Sequence, residues 1–174
     1  VPNMNPDGAL HGNLRTNAAG RNLNREWREP DPEHSPEVWH VRRAMEAGGF
    51  TLFLDIHGDE SLPYVFFVSP AEIPGYSAQQ AEQETRLAQA LAAVIPDFQT
   101  SHGYARGRFG SETLTLASNW VAHRFGGLAL TLEMPFKDNH KLPDAAQGWS
   151  GARSRQLGRD MVSALFQSGL LSDA

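Results

Sequence analysis

The 174-residue sequence contains no cysteine, which removes disulfides, thiolate metal sites and a cysteine nucleophile together. Histidine and carboxylates are left as the available ligands for a hard or borderline metal. There is no basic run either: 15 Lys+Arg stand against 20 Asp+Glu, a net charge of −5, which argues against general nucleic-acid binding and points to a small partner. No window reaches the roughly 18 apolar residues of a membrane span, and no basic start with an apolar signal core opens the chain. The expectation is a soluble protein with no membrane partner, and the lack of cysteine fits a cytoplasmic location. An initiator Met is missing as well. Val1-Pro2-Asn3-Met4-Asn5-Pro6-Asp7-Gly8 starts directly in turn chemistry and reads as an excised piece.

With 40% apolar and 20% charged residues, residues 1–174 are expected to form one globular domain with a substantial core. From Asn3 to Arg28 the chain is rich in Asn, Gly and Arg without hydrophobic periodicity, so a long ordered loop is expected, and loops of that length are usually functional. Ser35-Pro36 announces a helix running to about Ala47, closed by Gly48-Gly49. Strands are expected at Phe50–His57, Tyr64–Val68 and Leu128–Met134. Ser77 with Gln80 forms a capping-box pattern for a helix from about Ala78 to Ile95; further helices are expected over Leu114–Phe125 and from Gly151 to about Gln167. Strands alternating with helices indicate an α/β fold with a mixed, largely parallel central sheet.

The run from Phe50 to Glu60 organises the rest. Its apolar or β-branched residues Phe50–Leu54 describe a strand buried on both faces, after which Asp55, His57, Asp59 and Glu60 introduce ionisable groups where the strand leaves the sheet, with Gly58 free to turn. Ligands of open α/β sheets bind outside the carboxyl ends of strands, so His57 is a candidate ligand; a capped or solvent-facing histidine is the alternative. Strand alternation puts Asp55 on the face of His57, where it is either an ion-pair partner of an arginine or an anchor for a functional neighbour. Glu133 ends the third apolar strand in the same way. Arg15, Asn24 and Arg25 in the first loop suggest a carboxylate clamp, because a guanidinium offers a planar two-point fork and a neighbouring amide can fill a remaining acceptor site.

The ordered combination carries a resemblance. Asn5-Pro6-Asp7-Gly8, Gly12-Asn13-Leu14-Arg15, Ala19-Gly20 and Leu23-Asn24-Arg25-Glu26-Trp27, followed by Asp55-Ile56-His57-Gly58-Asp59-Glu60 and Thr131-Leu132-Glu133-Met134-Pro135, resemble the zinc metallocarboxypeptidases, in particular their cytosolic carboxypeptidase branch. The resemblance implies that this is the C-terminal part of a catalytic domain that hydrolyses the last peptide bond of peptides or protein tails. It implies that His57 is a ligand of one Zn2+ ion and that Glu133 is the general base. It further implies that Arg15 stabilises the oxyanion and that Asn24 and Arg25, with Arg15, hold the terminal carboxylate of the substrate.

One departure accompanies the likeness. The family's other two zinc ligands come from an H-x-x-E motif expected upstream of Val1; His34-Ser35-Pro36-Glu37 spells that pattern but falls after the Asn24-Arg25 pair, where capping is the expected role. Relatives often take acidic terminal residues, so Arg106, Arg108 and Lys137 are candidate cations for a side-chain pocket and Tyr104 a candidate cover. Two other functions are compatible with the residues: a zinc amidohydrolase that deacylates acyl-amino acids, and a non-catalytic carboxylate-binding module.

Overall fold

The computed structural model describes residues 1–105, 107 and 110–171, with the side chains of residues 110 and 111 excepted. The expectations placed on Arg106 and Arg108 lie outside the described residues. Five α-helices are described: α1 (Pro6–His11), α2 (Pro36–Gly48), α3 (Ala78–Val94), α4 (Ala117–Phe125) and α5 (Gly151–Gln167). They accompany the strands β1 (Leu52–Asp59), β2 (Phe66–Val68) and β3 (Leu128–Pro135). The described sheet is mixed, in the order β1-β3-β2, with β1 parallel and β2 antiparallel to β3.

Central β3 shows why the sheet holds together. Its alternate residues Leu128, Leu130 and Leu132 pack into one apolar cluster with Leu87 and Leu91 of α3 and Leu157, Met161 and Ala164 of α5. Ala129, on the opposite face, joins a second cluster with Val38 of α2, Trp120 and Val121 of α4, and the loop residues Leu23 and Trp27. The period of two along the strand thus assigns the two faces to two different pairs of helices. It also puts Thr131 and Glu133 on the α2/α4 face, and register with β1 adds Asp55 and His57 beside them.

The boundaries of α3 and α5 follow the sequence signals closely. The Ser77 side chain accepts from Gln80 N–H and the Gln80 side chain accepts from Ser77 N–H, a complete capping box, while Ser150 caps α5 through Arg153 N–H. Four expectations need correction. The strand buried on both faces is β3, whereas β1 is only half-buried, has β3 as its one neighbour among the described strands and leaves Ile56 51% exposed. β1 also runs through Gly58 to Asp59, so Gly58 does not turn: it stays in the ladder opposite Met134, where an added Cβ would meet the Phe136 ring at 2.5 Å. Finally, the first loop contains α1, because Asn5 accepts from Gly8 N–H at 3.1 Å and Pro6 opens the first turn; and the segment before α4 is a 3-10 turn, Gly110–Thr115.

Two substitutions test this packing. Leu91→Ala, at a fully buried α3 position, is expected to lower unfolding free energy by about 2–5 kcal/mol in urea titration. Gly148 has φ +62° and an added Cβ would lie 2.2 Å from the Lys137 carbonyl oxygen, so Gly148→Ala is expected to cost at least about 1 kcal/mol in the same measurement.

Candidate active site

The parallel register pairs His57 of β1 directly with Glu133 of β3, and Asp55 with Thr131. His57 and Asp55 are two apart on one strand and therefore share a face; His57 Nε2 lies 2.8 Å from Asp55 Oδ2. That contact decides the tautomer of a neutral imidazole: the hydrogen sits on Nε2 and the lone pair on Nδ1. Nδ1 faces Glu133, with 3.7 Å to Oε1. Burial disfavours protonation of His57, but the hydrogen bond and charge of Asp55 and the charge of Glu133 outweigh it and raise the pKa, against a smaller opposing effect from Arg15. Asp55 is therefore the partner of His57 and not of an arginine.

Glu133 is 5% exposed. Burial pushes its pKa up to about 7; His57 and the Tyr104 hydroxyl counter that rise, and the charges of Asp59 and Asp55 add to it. Tyr104 Oη lies 3.2 Å from Glu133 Oε1 and donates to Asp59 Oδ2. Oε2 of Glu133 is buried and has no hydrogen-bond partner among the described residues. A buried carboxylate with one unpaired oxygen, whose other oxygen faces an imidazole lone pair, is an arrangement that a further group is needed to complete.

All five residues singled out by sequence, Arg15, Asn24, Arg25, His57 and Glu133, line one cavity of about 70 Å³. Arg15 reaches it from the first loop and is ion-paired with Glu60, just past the end of β1. Asn24 and Arg25 sit in a 3-10 turn, Leu23–Arg25, which Asn22 caps by accepting from Asn24 N–H. Asn24 Oδ1 accepts from Ala117 N–H at 2.8 Å, so only the donor half of its amide remains for a ligand. Arg25 donates to the Asn24 carbonyl at 2.6 Å. Polar side chains complete the wall: Ser118 and Asn119 from α4 and Thr131 from β3, with Ser118 and Thr131 hydrogen-bonded at 2.9 Å.

Sequence reasoning missed Ser118, Asn119 and Thr131, and left Asp59 without a role. Thr131 was legible, being two residues before Glu133 on the same face; the α4 residues were not, because they come from a helix that meets the sheet only in the folded chain. Tyr104, read as a cover over substrate, lines the cavity and contacts the candidate base. Lys137 does not line the cavity. His34 and Glu37 are engaged elsewhere: His34 Nδ1 lies 2.8 Å from Asp31 Oδ2, and Glu37 accepts from the Asn17 amide.

The donor set fits a metal at one corner. His57 Nδ1 has the free lone pair and the supporting carboxylate that a metal-binding histidine requires. Among the described residues there is no group of three or more His, Asp or Glu side chains able to hold an ion, so His57 is a single donor and not a closed site.

No protein-family model matches the chain. A metallo-carboxypeptidase from Burkholderia cenocepacia superposes over 97% of this chain and 44% of its own, with a TM-score of 0.93 and 55% identity. The metallo-carboxypeptidase from Pseudomonas aeruginosa, solved in complex with (2-guanidinoethylmercapto)succinic acid, superposes over 99% of this chain and 45% of its own, with a TM-score of 0.92 and 51% identity. Cytosolic carboxypeptidase 3 of Bos taurus is 40% identical over 70 residues, 38% of this chain and 7% of that protein. The chain spans less than half the length of the relatives it matches. Motif order, an α/β fold with a mixed sheet and these likenesses agree, and the chain belongs to the metallo-carboxypeptidase family that includes the cytosolic carboxypeptidases.

Proposed function

We propose that this chain is the C-terminal part of a zinc carboxypeptidase catalytic domain that removes the terminal residue from peptides or protein tails in the cytoplasm. The observation that carries the proposal is the meeting of a cationic and amide clamp with a buried histidine–glutamate pair in one cavity, drawn from segments far apart in sequence. Arg25 and the Asn24 amide supply donors for the terminal carboxylate of the substrate, with Arg15 reinforcing them. Arg15 also stands ready for the negative charge that develops on the scissile carbonyl oxygen, provided it releases Glu60. A clamp of this kind admits only a chain end, so the last peptide bond is the one presented.

Glu133 is the proposed base. A carboxyl whose pKa lies near 7 can take a proton from an attacking water at neutral pH and return it to the leaving amine. Asp55 holds the His57 ring in the tautomer whose Nδ1 can bind the ion. Zinc, when bound, supplies a Lewis acid that lowers the pKa of its water and polarises the carbonyl. The two remaining protein ligands are proposed to come from outside this chain. Ser118, Asn119 and Thr131 in the wall support a polar terminal side chain, acidic ones among them.

The complete protein is expected to contain near-stoichiometric zinc by elemental analysis and to release the terminal residue of an unblocked peptide, measured by mass spectrometry, while leaving the same peptide with an amidated C-terminus intact. Cleavage of the amide, or a preference for acyl-amino acids over peptides, would contradict the carboxypeptidase reading. Glu133→Gln is expected to lower kcat by about 10²–10⁴-fold with zinc content unchanged. Arg25→Ala, by contrast, is expected to appear mainly in KM, raised by about 10-fold or more through loss of a charge-assisted contact.

A further inference from the structure

Asp59 and Tyr104 have no task in the chemistry proposed above, yet both lie against its centre. Asp59 is the last residue of β1 and only 4% exposed. A carboxylate buried to that degree must be hydrogen-bonded, or it costs several kcal/mol. Its Oδ1 accepts the backbone N–H groups of Ser61 and of Leu62, the latter at 2.8 Å, which locks the turn after the strand. Its Oδ2 accepts the Tyr104 hydroxyl.

Tyr104 is thereby held at both ends. Its ring meets Phe66 edge-on, with centroids 5.3 Å apart and planes at 86°, and Phe66 is the β2 residue in register with Glu133. The hydroxyl at the far end stands 3.2 Å from Glu133 Oε1. Two carboxylates from different strands therefore meet at one phenol oxygen and share its single hydrogen, while the ring packed on Phe66 fixes where that oxygen stands. Glutamate has a long side chain with several rotatable bonds, so a base built on it needs some outside contact to select a rotamer. Oε1 has that contact, and Oε2 has none among the described residues.

Resting on the reading of Glu133 as the base, we infer that Asp59 and Tyr104 are positioning residues for it: Asp59 anchors the Tyr104 hydroxyl, and that hydroxyl fixes Oε1, the oxygen that faces His57 Nδ1, and with it the orientation of the carboxylate. A misplacement of about 1 Å at a reacting group costs up to about 100-fold in rate, which sets the size of the effect.

The test uses the complete, metal-loaded protein. Tyr104→Phe keeps the ring and removes only the hydroxyl; it is expected to lower kcat by about 10–100-fold with KM changed by less than about 2-fold and metal content unchanged. Asp59→Asn is expected to do the same, and the double variant to be no slower than the slower single one, because the two act in series. Unchanged kcat in Tyr104→Phe, a loss confined to KM, loss of the metal, or a double variant whose defect is the product of the two would overturn the inference. Should Asp59→Asn fail to fold, Tyr104→Phe decides alone. A crystal structure of Tyr104→Phe supplies a readout independent of turnover: a Glu133 carboxylate that has left its position supports the inference, and one that has not moved refutes it. That structure is informative even if the parent protein hydrolyses no peptide, so failure of the peptidase reading and failure of the positioning role are separable.

Discussion

The parallel pairing of β1 with β3 is the constraint on which the site depends. It sets His57 opposite Glu133 and Asp55 opposite Thr131, all on the face covered by α2 and α4. Side-chain direction along a strand has period two, so a slip of one residue would turn His57 toward the α3/α5 core and leave Glu133 facing an apolar neighbour. What fixes the register is apolar: Leu128, Leu130 and Leu132 can be buried against α3 and α5 in only one phase. A hydrophobic pattern on one face thus determines a polar constellation on the other.

Several parts of this arrangement could be read directly from residues. The helices α3 and α5 are specified by local chemistry, a capping box in one and a serine cap in the other, and needed no tertiary information. Strand β3 is a continuous apolar run and is buried as such runs usually are. The identical inference failed for β1, because burial of a strand depends on how many neighbours the sheet gives it, and position within a sheet is not encoded in the strand's own residues. Asn5-Pro6 was ambiguous for a related reason: the same pair serves a turn and a helix start, and only the Asn5–Gly8 bond distinguishes them.

The candidate site divides along similar lines. His57, Glu133, Arg15, Asn24 and Arg25 carry chemistry in their own side chains and stand in a recognisable order, so they could be named before their distances were known. Ser118, Asn119 and Asp59 could not. They are ordinary surface types in sequence, and they acquire meaning from where α4 and the end of β1 arrive. Tyr104 was noticed, but its contact with Asp59 and Glu133 could not be, because it bridges residues 45 and 29 positions away.

Asn24 serves the fold with one end of its amide and the cavity with the other. α4 begins without a side-chain cap from its own N-cap residue Leu116, and the Asn24 oxygen, 93 positions earlier, satisfies Ala117 N–H in its place. The consequence is a coupling of two tasks. The bond that satisfies the start of α4 also fixes which way the remaining N–H groups of the Asn24 amide point, so the place of that helix and the polar lining of the cavity are set together.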